Sequence, residues 1–232
     1  MKLSKHTLSI LKNFSQINSS IFLKKGNFIM TKSSNSTIFA EATIPDQIDT
    51  DVVIYDLNKF LSIMSLVGEN AKVEVDDKDN VIRIKNEHST VNIDHAQAST
   101  IVYPAKPIVF PVASVTFELK ADEYKQITRV ARSMKIDTLC ISNNDDKIVI
   151  EGFHGAVDQN FEKPLYQIVV GEFDKPADDT KFKFYIKMSN IDMIESDYTV
   201  HLWGDGARIA SKFEGESASY VIALETNSEH NF

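Results

Sequence analysis

A single cysteine, Cys140, stands in 232 residues, which excludes an internal disulfide and any cysteine-rich zinc site and makes a reducing compartment the default. Long apolar runs are missing too. None approaches the ~18 residues that a bilayer-spanning helix requires, and the opening MKLSKHTLSILKNF breaks its apolar residues with Lys, His, Ser and Asn, so neither a membrane span nor a secretory signal is expected. The 8 glycines form neither a GxGxxG nor a GxxxxGK[ST] pattern; Gly204-Asp-Gly206 and Gly215 are isolated, and no phosphate-cradling loop is expected. Six histidines (His6, His88, His95, His154, His201, His230) are scattered with no HxxxH or HExxH pair, and no GxSxG elbow accompanies the serines. Asp76, Asp77 and Asp79 lack the glycine and bidentate glutamate of a calcium loop and read as turn residues. Cys140 lies in the apolar run Thr138-Leu-Cys-Ile141 and reads as a small buried hydrophobe. No catalytic residues, no metal ligands and no cofactor are expected, so the chain reads as something other than an enzyme.

What is present is an ordinary globular composition, 43% apolar and 25% charged, long enough for one large domain or two of roughly 100 residues. The net charge of −8 conceals a division. The first forty residues carry Lys2, Lys5, Lys12, Lys24, Lys25 and Lys32 and no acid before Glu41. Residues 120 to 135 add Lys120, Lys125, Arg129, Arg132 and Lys135 against Asp122 and Glu123, a surplus of +3, so the remaining 176 residues stand at −17. Two short basic segments therefore sit on an acidic body.

Both segments read as amphipathic helices. At about 100° per residue, Leu3, Ile10, Leu11, Phe14 and Ile17 form one apolar arc, with Lys5, Ser9, Lys12 and Gln16 across from it. In the second, Leu119, Tyr124, Ile127, Val130, Ala131 and Met134 form the arc and Lys125, Arg129 and Arg132 cluster opposite. A cationic stripe appearing twice in a chain with an acid excess points to a phosphate-facing surface.

The chain can also be laid over itself. Each basic helix is followed by a hairpin pattern, Ser20 to Thr31 with Gly26 at the turn and Asp137 to Gly152 with Asn143-Asn-Asp-Asp146 at the turn. Val52 to Met64 then resembles Phe182 to Ile194, a strand entering a short helix, with Leu57, Phe60 and Ile63 opposite Met188, Ile191 and Ile194. Ala71 to Lys85 and Tyr198 to Phe213 read as alternating hairpins, with turns at Asp77-Lys-Asp-Asn80 and Gly204-Asp-Gly206. The expectation is an α+β fold of two similar domains, 1–107 and 108–232, joined by a linker over about 101–114. That linker holds Pro104, Pro107 and Pro111, which favour an extended connector, with Ile108, Val109, Phe110 and Val112 between them.

Stretches along the whole length then carry a family resemblance: Lys2-Leu-Ser-Lys5, Leu11-Lys-Asn-Phe14, Phe28-Ile-Met-Thr31, Ile54-Tyr-Asp-Leu-Asn58 and the linker from Pro104 to Ser114, then Arg129-Val-Ala-Arg132, Lys147-Ile-Val-Ile150 with Glu151-Gly-Phe153, and Lys212 to Glu225. The chain resembles the sliding clamps of T-even-type bacteriophages, processivity factors of the phage replicative DNA polymerase. The resemblance is weakest around Asn86 to Ser99 and His154 to Lys163. It implies the DNA-clamp fold, with antiparallel sheets outside and helices inside, and a homotrimeric ring of six repeats around duplex DNA held without sequence preference. It implies phage DNA polymerase and the clamp loader as partners, in the cytoplasm of the infected bacterial host. Lys5, Lys12, Lys125, Arg129 and Arg132 become the expected DNA-facing residues. By position beside the linker, Ile108, Phe110 and Val112, with Thr37 and Ile38 on a facing strand, become candidates for a pocket that takes short apolar partner peptides. An acidic protein-interaction scaffold that never touches nucleic acid, or a DNA-modifying enzyme using a carboxylate-bound metal, stands as the alternative; the enzyme would need clustered acids near the basic helices, and residues 1 to 40 offer none.

Overall fold

In the computed structural model, which describes every residue except 69, 77, 156 and 175–178, the chain divides into two compact units, Met1–Pro107 and Ile108–Phe232. The first contains α1 (Lys5–Ile17), β1 (Ile21–Leu23), β2 (Gly26–Lys32), β3 (Ile38–Ile48), β4 (Val52–Ile54), α2 (Leu57–Val67), β5 (Lys72–Asp76), β6 (Val81–Lys85) and β7 (Thr90–Asp94). Ser4 starts α1, its hydroxyl accepting the Thr7 N–H at 3.2 Å, while the Asp46 carboxylate accepts the Ser4 N–H at 2.6 Å. Caps of this kind are worth about 1 kcal/mol. The buried face does more: Ile10, Leu11 and Phe14 are all but fully buried, at roughly 1.5–3 kcal/mol each, so packing decides which side of α1 stays wet. That face meets β3 and α2. Asp56 caps α2 by accepting the Lys59 N–H at 2.9 Å, and Phe60 and Met64 are its buried anchors. The strands pair antiparallel, β1 with β4, β2 with β3, and β5, β6 and β7 in a three-stranded sheet.

The second unit contains β8 (Val115–Leu119), α3 (Ala121–Met134), β9 (Thr138–Asn144), β10 (Lys147–Phe153), β11 (Tyr166–Glu172), β12 (Phe182–Lys187), β13 (Tyr198–Asp205), β14 (Arg208–Gly215), β15 (Ser219–Ile222) and β16 (Glu229–His230). One sheet runs β11-β10-β9-β12-β16, and β15, β14, β13 and β8 pair antiparallel in that order. The first turn of α3 is closed by two carboxylates, Glu123 accepting the Lys120 N–H at 2.8 Å and Asp197 the Ala121 N–H at 2.8 Å. At its other end Lys135 adopts the left-handed conformation, φ 56°. The hairpin turns are short: Asp145-Asp146 between β9 and β10 and Gly206-Ala207 between β13 and β14, with Asp145 at φ 52° and Gly206 at φ 59°.

The repeat is looser than the sequence pattern suggests, in three places. The expected hairpin over Ser20–Thr31 does not form, because β1 and β2 do not pair with each other. β1 pairs with β4 and β2 with β3, whereas in the second unit the one strand β9 pairs with both β10 and β12. Gly26, at φ +127° and with a register shift beside it, breaks the equivalent strand in two, a conformation open to glycine at no steric cost. The reversal comes later, where the Ser33 hydroxyl accepts the N–H groups of Thr37 and Ile38 at 3.0 Å each.

The second difference is the short helix expected over Met188–Ile194. Only Met188–Asn190 makes a single 3₁₀ turn. Ser, Asn and Asp favour local side-chain bonding over helix, and three tyrosines supply the backbone partners that a helix would have provided. Tyr124 Oη donates to Met193 O at 3.1 Å and accepts from Met193 N at 3.0 Å, Tyr220 Oη accepts from Ile194 N at 3.2 Å, and Tyr198 Oη donates to Ile194 O. Third, the apolar arcs are trimmed: Leu3 precedes α1, Leu119 ends β8, and both are buried there, while Met134 closes α3 with its side chain exposed. Of the Asp76, Asp77 and Asp79 group, Asp76 accepts the N–H groups of Lys78 and Asp79 at 3.2 and 3.4 Å, a turn role; Asp77 lies outside the described residues.

Candidate nucleic-acid interface

Lys5 and Lys12 emerge on the exposed side of α1, with Ser9 and Gln16 between and beyond them. The groove between α1 and α2 is lined by Lys5, Lys12, Gln16, Asn58 and Ser62. No Asp or Glu occurs within either helix, and the groove lining sets Lys2, Lys5 and Lys12 against Asp46, a surplus of positive charge. Lys59, the one charged residue of α2, is exposed near it. Lys59 lies outside the two stripes legible in the sequence; the signal for it is a helix with one cation and no acid.

On α3, Arg129 and Arg132 are exposed and carry no ion pair among the described residues. Lys125 is different. Its ammonium lies 2.5 Å from Glu195 Oε1, so unlike Arg129 and Arg132 it is held by a carboxylate of its own unit. Lys135, also exposed at the helix end, extends the stripe. A groove between α3 and the Met188–Glu195 segment is lined by Tyr124, Thr128, Arg132, Lys135, Asp192 and Glu195. Burial pushes the Tyr124 hydroxyl up to about 12 against backbone hydrogen bonding from Met193, so it holds its proton at any working pH.

Between Ile101 and Ala113 the only regular features are bends. The first half of this strap is tied to its unit by Asn18 Nδ2 donating to Val102 O at 2.8 Å, by Lys24 donating to Ala105 O at 3.4 Å, and by Tyr103 edge-on to Phe22 with ring centres 5.0 Å apart. The second half rests on its own unit through Phe110, 6.5 Å from the His201 ring, and through Ser114 N donating to Leu202 O at 2.8 Å. Val109 and Val112 are 93% and 92% exposed and Ile108 41%. Val109, left out of the sequence candidates, is thus as open as any of them. Thr37 is engaged in the Ser33 turn, where its hydroxyl donates to Asn35 Oδ1 at 2.9 Å, and Ile38 is buried.

Cys140 is buried against Phe153, Tyr185 and Phe161, and desolvation pushes its thiol up to about 12; it is packing, not a nucleophile. Among the described residues no three His, Cys, Asp or Glu side chains gather as metal ligands, and no helix is long and apolar enough to cross a membrane.

Two α+β units, each pairing amphipathic helices with antiparallel sheets, are the fold of DNA clamps, and solved structures agree at the level of fold. The chain superposes on a PCNA2-PCNA3 complex from Sulfolobus tokodaii with a TM-score of 0.63 at 12% identity, covering 96% of both chains. It superposes on A. fulgidus PCNA bound to the C-terminal region of FEN-1 with 0.61 at 15%, again covering 96% of both. Residues 2–103 match the DNA polymerase processivity factor family and residues 116–226 the gp45 sliding clamp, C terminal, family. Over all 232 residues, and over the full length of each relative, the chain is 48% identical to the sliding clamp of Escherichia phage RB69 and 47% identical to that of Enterobacteria phage T4. It belongs to the bacteriophage sliding-clamp family of DNA polymerase processivity factors.

Proposed function

We propose that three copies of this chain close into a ring around duplex DNA, are opened and loaded by a clamp loader, and tether the replicative polymerase of an infecting phage in the cytoplasm of its host, without catalysing a reaction. The observation that carries the DNA contact is the charge arrangement: exposed Lys5, Lys12, Arg129 and Arg132 on helices of a chain with net charge −8. Long flexible cations on a helix face give phosphate contacts without base readout, which suits a protein that must move along DNA. The acidic remainder repels DNA from other surfaces.

Partner docking falls on the strap. Ile108, Phe110 and Val112 are the proposed contacts of the second unit, and Val109 joins them on exposure. FEN-1 bound through its C-terminal region to an archaeal PCNA supports short terminal peptides as the form of ligand. Polymerase processivity measured alongside a melting curve tests the DNA-facing reading: replacing Lys5, Lys12, Lys125, Arg129 and Arg132 together with Ala lowers processivity with little change in melting temperature. Unchanged processivity would make these residues an ordinary solvated face, and a collapse of stability would make them structural.

A further inference from the structure

The second unit sets a carboxylate beside one of its helix cations. Laid over each other by the repeat, α2 of the first unit has no acid, whereas the corresponding segment of the second, Met188 to Asp197, carries Asp192, Glu195 and Asp197. Asp197 is occupied with the start of α3, accepting the Ala121 N–H at 2.8 Å. Glu195 instead reaches the middle of the cationic stripe, its Oε1 2.5 Å from Lys125 Nζ, with side-chain exposures of 51% and 36%. A pair this open to solvent contributes little to folding, so fold stability does not account for it. Its position does bear on DNA: a phosphate approaching Lys125 must displace or share the Glu195 carboxylate, whereas one approaching Arg129, which lies outside the groove that Asp192 and Glu195 line and has no ion pair among the described residues, meets no such partner.

We propose that Glu195 is an internal counter-anion that occupies Lys125 and thereby weakens the grip of α3 on the phosphate backbone, making Glu195 a positioning residue for sliding. The proposal rests on the reading that α3 faces duplex DNA. The physical argument is counterion release: each Lys that binds a phosphate displaces a condensed cation, while a Lys already neutralised by a protein carboxylate has to give up that partner first, and its contribution to affinity and to friction shrinks. In a ring held topologically, affinity is not what retains the clamp, so a weakened contact favours movement without loss.

Binding of the intact protein to a short linear duplex, followed by fluorescence anisotropy across a salt series, reads this directly. In Glu195→Gln, which keeps shape and removes charge, the plot of log affinity against log salt becomes steeper by about 0.9 per contacting subunit, and the loaded clamp diffuses more slowly along DNA in single-molecule tracking. The gain disappears in the Glu195→Gln, Lys125→Ala double variant, because it is routed through Lys125. In the wild-type background Lys125→Ala flattens the slope less than Arg129→Ala does, a comparison that requires no change at Glu195. An unchanged slope in Glu195→Gln, a gain that persists without Lys125, or a loss in Lys125→Ala equal to that in Arg129→Ala would each overturn the proposal. If Arg129→Ala and Lys12→Ala themselves leave the slope unchanged, the DNA-facing reading fails and takes the proposal with it. If those two respond and Glu195→Gln does not, only the proposal fails.

Discussion

Tyr124, Tyr198 and Tyr220 show how single side chains replace an element. Their hydroxyls satisfy backbone groups of Met193 and Ile194 in a segment that has no helix to do so. Tyr124→Phe leaves the Met193 N–H and carbonyl without their partner at a buried position, and unfolding by denaturant is expected to register a loss of about 1–3 kcal/mol. Burial also raises all three hydroxyls, Tyr124 from 10.0 to about 12. The folded chain thus keeps protons that the unfolded chain releases, so this stability is complete below about pH 10 and falls as pH rises through about 12. Melting curves across that range are expected to show a steep alkaline decline in the wild type and a shallower one in Tyr124→Phe; parallel curves would contradict the assignment. Some of this scale was legible in the sequence. A 100° period places Lys5, Lys12, Arg129 and Arg132 opposite apolar arcs, and a cysteine in an apolar run reads as packing. The Lys125–Glu195 pair was not legible, because its partners lie 70 residues apart and no local pattern joins them.

At the scale of elements, local chemistry predicted what local chemistry builds. The amphipathic helices, the β9–β10 hairpin at its Asp-rich turn and the β13–β14 hairpin at Gly206 follow from spacing and turn residues. What failed was pairing. Gly26 reads as a hairpin turn in sequence, yet β1 pairs with the more distant β4 and β2 turns back onto β3 only at Ser33, and that choice depends on which surfaces meet. The true reversal relies on the Ser33 hydroxyl, buried and accepting two N–H groups. Ser33→Ala is expected to cost about 1–3 kcal/mol in chemical unfolding, much more than Ser34→Ala at the exposed neighbour. Another contact is set by close approach: a Cβ on Gly204 would lie 2.6 Å from His230 Nε2, with other ring atoms at 2.7 and 2.8 Å. Gly204→Ala is therefore expected to push β16 off β12, losing about 1–3 kcal/mol as overpacking does and raising hydrogen exchange at the Phe182–His230 pairing. Normal protection there would show that the ring moves aside without cost.

For the whole molecule, the division of charge between the two basic segments, in the first forty residues and in residues 120 to 135, and the acidic remainder is the feature that ties the sequence to DNA most directly. Two further outcomes belong to this scale. A homotrimer is expected in analytical ultracentrifugation across a concentration range, passing from monomer to trimer; an obligate dimer or a persistent monomer would contradict the ring. On the strap, Val112→Ser alters a side chain already 92% exposed and leaves the melting temperature unchanged, yet it is expected to weaken titration of a polymerase C-terminal peptide by up to roughly 1.5–3 kcal/mol, the value of burying such a side chain. Phe110→Ser, which also loses the His201 contact, lowers both.

The central claim is topological: the chain holds DNA by surrounding it, and its cations touch phosphate without being what retains it. The direct measurement is retention of loaded, labelled protein on nicked circular DNA, compared with the same DNA after it is cut once to make it linear, at a salt concentration high enough to screen phosphate contacts. An encircling clamp stays on the circle and runs off the linear molecule. Equal loss from both, or equal retention on both, would contradict it.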